Sequence, residues 1–189
     1  MKWLKSWKIF EALDKPVLDI ETFLSEIGIS EGRRSDVINW WNSNRRHIKI
    51  HYFPFISPQP IAGVFLGEDT ICINQRLNMP PHIKLFLALH ESRHCDQHRE
   101  GRFMTGYYDT VLRGERGNFL RAYSELERDA NDFAINSMRQ VGFSNEMDRE
   151  EVRLRGNERA GDMVFNMMTN DIRRFNPIDF FDLLEKQIR

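Results

Sequence analysis

Apolar residues recur at helical spacing through the first part of the chain. Ile20, Phe23, Leu24 and Ile27 share one face of a helix predicted over 19–27. Val37, Ile38, Trp40 and Trp41 mark a further helix, which Ser35 can cap. Trp3, Trp7 and Phe10 would pack an N-terminal helix onto the rest, and the lysines between them leave no apolar run for a secretion signal. Residues 1–45 are therefore expected to form a helical N-terminal segment.

The period then changes to two. Ile48, Ile50 and Tyr52 alternate over 47–53, as in a half-buried strand. Pro54, Pro58 and Pro60 break it into an extended connection. Residues 62–66 and 70–74, with Gly67-Glu68-Asp69 between them, predict a hairpin. Pro80 and Pro81 open a helix expected over 82–99, ending before Gly101. Residues 101–117 carry glycines and no clear period, so a loop is expected. A second long helix follows over 118–140, with Gly142 placed to end it. The remainder, 144–189, predicts a helical C-terminal segment packed on a core of 46–143 and broken at Pro177.

Composition narrows the function. The chain has 189 residues with 41% hydrophobic and 29% charged, an ordinary globular balance. Lys and Arg number 27 against 28 Asp and Glu, a net charge of −1, which argues against a nucleic-acid binder. The arginine pairs Arg33–Arg34, Arg45–Arg46 and Arg173–Arg174 read as solvated or paired with acids. Two cysteines, Cys72 and Cys95, cannot staple a fold of this size, so a reducing, cytoplasmic setting is expected. No apolar run approaches the roughly 20 residues that span a bilayer.

The chemistry sits in the first long helix, in His90-Glu91-Ser92-Arg93-His94. Histidines at i and i+4 stand one turn apart on one face, where two imidazoles can bind one tetrahedral zinc. They continue the apolar stripe of Ile83, Phe86 and Leu87, where unpartnered polar groups would be costly and a metal supplies partners. Glu91, about 100° around the helix, can reach a metal's water ligand without itself ligating. A third ligand is needed. Glu125 shares its face with Ala122, Arg128, Asp129 and Asp132, largely solvated; Glu127 shares its own with Tyr123, Ala130, Asn131 and Ala134, mostly small and buried. Glu127 is therefore the better ligand, and its competing role is a buried ion pair with Arg93 or Arg121. Asn131 could hydrogen-bond a ligating histidine. His98 rises about 12 Å beyond His90 along the axis, too far to share its metal. Cys95 points off the ligand face and is expected in the core.

Together these residues resemble the gluzincin zinc metallopeptidases, specifically the compact ImmA/IrrE-like group. Ala62-Gly63-Val64, then Ile71-Cys72-Ile73-Asn74, then Phe86 to His94 follow that family's order of glycine-led strand, strand ending in Asn, and active-site helix. Glu127, Ala130, Asn131, Phe133 and Ala134 are similar to its downstream glutamate helix. The likeness covers about residues 61–138. Ser92 and Arg93 depart from it, since small or apolar residues usually stand there. Arg93 could read an acidic substrate or obstruct access.

The resemblance implies an α+β, zincin-like (minigluzincin) fold: a small sheet on an active-site helix and a glutamate helix, with helical terminal extensions. It implies Zn2+ held by His90, His94 and Glu127, Glu91 as general base, and peptide-bond hydrolysis of a protein or peptide substrate. Tyr107, Tyr108 or Tyr52 could stabilise the oxyanion. The strand 71–74, if it is a sheet edge, could pair with an extended peptide. The alternative is a non-catalytic zinc-stabilised structural or interaction module, in which the same ligands serve folding.

Overall fold

The computed structural model describes residues 17–53, 62–65, 69–74, 78–102 and 109–174. Expectations for Trp3, Trp7 and Phe10, the prolines 54, 58 and 60, the turn at Gly67-Glu68, Tyr107, Tyr108 and Pro177 fall outside these residues.

Helix α1 spans Ile20–Ile27 and buries the predicted Ile20, Phe23, Leu24 and Ile27. Asp19 caps it, accepting from the Thr22 amide at 2.7 Å, and Gly28 ends it in the left-handed region at φ 86°. Helix α2, Glu31–Asn44, starts a turn earlier than expected. Ser30, with extended backbone, occupies the N-cap position, and Ser35 lies inside the helix. Its first turn is solvated and charged, so no apolar period announces it before Val37. Val37 and Trp41 are buried, and Trp40 Nε1 donates to Gln140 Oε1 at 2.8 Å.

Three strands follow: β1 (Lys49–Phe53), β2 (Gly63–Phe65) and β3 (Thr70–Asn74), in the spatial order β1-β3-β2. The expected hairpin forms, with β2 antiparallel to β3 and Val64 opposite Cys72. β1 lies parallel to β3, Lys49 opposite Thr70. The strand 70–74 is thus the central strand and not an edge, which removes it as a docking strand for a peptide. Its burial agrees: Ile71, Cys72 and Ile73 are all inaccessible, as a strand covered on both faces requires.

Helix α3 (Pro81–Arg99) opens with Pro81 in its first turn, where a missing N–H costs nothing. Within the stretch expected to be loop, Asp109–Leu112 form a short helix, α4, closed by Gly114 at φ 68°. Helix α5 runs Arg116–Gln140 and α6 Ser144–Leu154; a 3-10 turn, Arg155–Arg159, leads into α7, Gly161–Arg174.

The main core joins α1, α2, the sheet, α3 and the C-terminal half of α5 through Phe23, Trp41, Ile50, Ile71, Ile73, Leu89, Ile135 and Met138. A smaller cluster of Val111, Phe119, Tyr123 and Phe165 ties α4 and α7 to the N-terminal half of α5. Gly161 permits that second packing: a Cβ there would lie 2.9 Å from Leu120 Cδ2 and 3.1 Å from Tyr123 Cδ1. The molecule is an α-rich α+β protein whose small mixed sheet backs α3. Among the described residues, no helix is long and apolar enough to cross a membrane.

Candidate metal centre

α3 and α5 pack side by side, and fully buried Ala88, Ala130 and Ala134 keep bulk out of the contact. α3 presents His90 and His94 toward α5, and α5 returns Glu127. The two Nε2 atoms are 3.1 Å apart; Glu127 Oε2 is 3.3 Å from His90 Nε2, and Oε1 is 3.6 Å from His94 Nε2. A tetrahedral zinc with ligands at 2.0–2.1 Å sets its ligand atoms about 3.3 Å apart. The spacing of this triad fits that figure without rearrangement. The group could hold a metal ion.

The surroundings supply a reason for a cation. His90 and His94 are only 4% and 6% exposed, and the Glu127 side chain 14%. Two imidazole nitrogens this close repel if both present lone pairs, so a proton or a metal must lie between them. Of the two rings, His90 is the one whose surroundings favour the proton. Burial alone would depress that imidazolium, but the bond to Glu127 and the charges of Glu91 and Glu127 outweigh it and lift the pKa above the usual histidine value. Burial and the positive His90 push His94 down to about 4. Burial works against Glu127 ionising, yet its bond to His90 and the nearby His94 hold its carboxyl below the usual carboxylate range. A divalent cation would take the place of that one shared proton.

Glu91 stands apart from the triad, as its position on the helix requires. It is 8% exposed, lies against Gly63 of β2, and accepts a hydrogen bond from the Phe65 amide. Burial, opposed by His90 and reinforced by Glu127, raises its carboxyl to about 7. The buried acid is thus poised to gain or lose a proton near neutrality.

Other expectations resolve plainly. Arg93 neither pairs with Glu127 nor faces the cluster as a free cation: its guanidinium binds Asp129, Asp96 and Glu100. His98 packs its ring on Phe65 at 5.3 Å. Cys95 is fully buried, its thiol 3.7 Å from the Glu91 carbonyl oxygen. Tyr52 packs on Phe23 and bonds Glu26. Asn131 lies beside His90 and adds to its upward push, while its Nδ2 donates to Asn157 Oδ1 and Glu158 Oε1 at 2.9 and 3.0 Å.

Three neighbours take roles at the site that reading the chain left unassigned. Asn157 Nδ2 donates to Glu127 Oε2 at 2.6 Å from the 3-10 turn, so the C-terminal segment grips the candidate ligand. No helical spacing links positions 30 apart, and nothing local signals it. Tyr123, one turn before Glu127, is buried, and both Glu127 and Glu91 raise its phenol pKa beyond what burial does. Gln97, one turn beyond His94, bonds His94 Nδ1 at 2.7 Å. Helical spacing could have found these two.

Comparisons with protein-family models, with curated proteins and with solved structures return no match to this chain. What the fold and site define together is an α+β protein with a buried His-His-Glu group able to hold a metal ion.

Proposed function

We propose that the protein is a zinc-dependent metallopeptidase with a zincin-like fold, resembling the ImmA/IrrE-like gluzincins in its two helix motifs. Glu91 carries this reading. A metal site that serves only folding has no need of a buried carboxylate poised near pH 7 one residue from a ligand, whereas hydrolysis needs a base there. His90, His94 and Glu127 would hold zinc, which when bound lowers the pKa of a water ligand toward about 7 and polarises a carbonyl. Glu91 accepts the proton of the attacking water and returns it to the leaving amine. Its hydrogen bond from the Phe65 amide fixes one carboxylate oxygen and leaves the other for that traffic. Tyr123, whose phenol feels the charges of both Glu127 and Glu91, is our candidate oxyanion donor.

Among the described residues β2 is an edge of the sheet, and its Gly63 touches Glu91. An extended peptide adding to β2 would run past the base, which favours protein or peptide substrates over small molecules. The free, buried Cys72 and Cys95 fit a reducing cytoplasmic setting. One observation favours a second reading, a zinc-stabilised structural or interaction module: the triad is almost inaccessible and Glu127 is held by Asn157.

Unfolded proteins and peptide mixtures, incubated with the metal-stripped and the zinc-loaded full-length chain, separate the two. A peptidase cleaves only when loaded and stops on chelation. Cleavage by neither form, with zinc taken up and the melting temperature raised, would establish the structural role. Gly63→Ala bears on the same point. A Cβ at 63 would lie 2.9 Å from both Cγ and Oε1 of Glu91, so the base must shift. Displacing a catalytic group by about 1 Å can cost about 10²-fold. The expected result is loss of turnover on that scale with zinc retained, read from kcat/KM and metal content.

A further inference from the structure

Gln97 is fully buried on α3, where an unpartnered amide would be costly. It is instead held at both ends. Its Nε2 lies 2.9 Å from the Leu126 carbonyl oxygen and 2.8 Å from Asp129 Oδ2. Both of those atoms only accept, so this end of the side chain is the NH2 group. Oε1 is then the atom 2.7 Å from His94 Nδ1. An amide oxygen cannot donate; His94 Nδ1 therefore carries the proton and Nε2 presents its lone pair. That Nε2 faces His90 and Glu127.

The alternative amide orientation is blocked. A flipped Gln97 would turn its oxygen onto the Leu126 carbonyl and the Asp129 carboxylate. Asp129 itself cannot swing aside, because Arg93 Nε and Nη2 bind its Oδ2 at 3.1 and 2.9 Å and Arg102 binds the same atom. Two surface arginines thus hold an acid that holds an amide that holds a candidate ligand.

We propose that Gln97, anchored by Asp129, is the positioning residue that keeps His94 in the one tautomer able to ligate a metal through Nε2. This rests on the metal-site reading above. A side chain that merely ties α3 to α5 would need only its two donor bonds to Leu126 and Asp129. The positioning role needs the third contact, the acceptor on His94.

Two substitutions pull these roles apart. Gln97→Met removes the acceptor on His94. Gln97→Glu keeps an acceptor oxygen there but sets its other oxygen against Leu126 and Asp129, so it damages the interhelix tie more. Zinc affinity, by competition with a chromophoric chelator, and urea stability are measured on the full chain. Loss of an outer hydrogen bond to a ligand typically weakens metal binding about 10- to 100-fold. Gln97→Met is expected to show that loss, while Gln97→Glu stays closer to wild type in zinc affinity despite the lower stability. If zinc affinity follows stability, with the glutamate variant worse, the proposal is overturned.

Long-range 1H–15N correlation on the metal-free wild type provides a check that needs no variant. It should show His94 protonated at Nδ1, and protonation at Nε2 instead would overturn the proposal. Failure of the underlying reading looks different: wild type that takes up no zinc removes the metal site, and the positioning role with it. Zinc bound tightly by wild type and equally by Gln97→Met removes only the positioning role.

Discussion

Glu91→Gln is expected to lower peptidase turnover by about 10²–10⁴-fold, the usual contribution of a general base. Zinc content and fold should survive. The substitution is nearly isosteric, and the amide oxygen can still accept from the Phe65 N–H. It also removes a charge that burial disfavours. An acid whose folded pKa is raised to about 7 destabilises the fold progressively as pH climbs from its ordinary value through 7. Metal-free Glu91→Gln protein at pH 8 should therefore unfold at the same or higher urea concentration than wild type. Steady-state cleavage, elemental analysis and urea unfolding on the same preparation separate the possibilities. Turnover lost with zinc and stability kept identifies the base. Activity unchanged would end the catalytic assignment of Glu91, and zinc lost along with activity would make it part of the metal's support.

Much of this site was legible in the chain because its parts repeat every turn of a helix. His90 and His94 one turn apart, and Glu127 in line with small buried residues, come together from the spacing of residues on two helices. The hairpin was legible from its alternation. Sheet order was not: β3 alternates no differently as a centre than as an edge, and only the burial of Ile71 to Asn74 and the parallel partner β1 distinguish them. The start of α2 was hidden for a related reason, since its first turn is charged and solvated and buries nothing. Helix α4 is a single turn whose stability comes from Val111 in the small cluster with Phe119 and Phe165, a tertiary effect with no local period. Asn157 and the pinned Asp129 belong to the same category. Each acts through a partner on another element, and no spacing along the chain links it to the histidines.

If the proposed site holds zinc, wild type should carry about one ion per chain, and Glu127→Ala is expected to lose most of it. The effect should be large because Glu127 does three things at once. On the proposed reading it would supply one of three protein ligands; it also offsets positive charge at His90, and it is the acceptor that Asn157 grips. Once alanine takes its place, the two histidines keep their spacing on α3 but only Glu91 remains as a nearby counter-charge, and Asn157 loses its partner. Some destabilisation of the C-terminal segment should accompany the metal loss, and the matched variant that isolates the ligand effect is Glu125→Ala. Glu125 lies two residues away on the exposed face of α5, lining a cavity of about 370 Å³ with Asp109, Arg113 and Arg121. It contributes nothing to the triad, so zinc per chain should match wild type. Full zinc in Glu127→Ala, or equal loss in both variants, would show that the carboxylate facing the histidines is not a ligand. The His90–Glu127 contact would then be an ion pair inside a helix interface, with burial as its whole purpose.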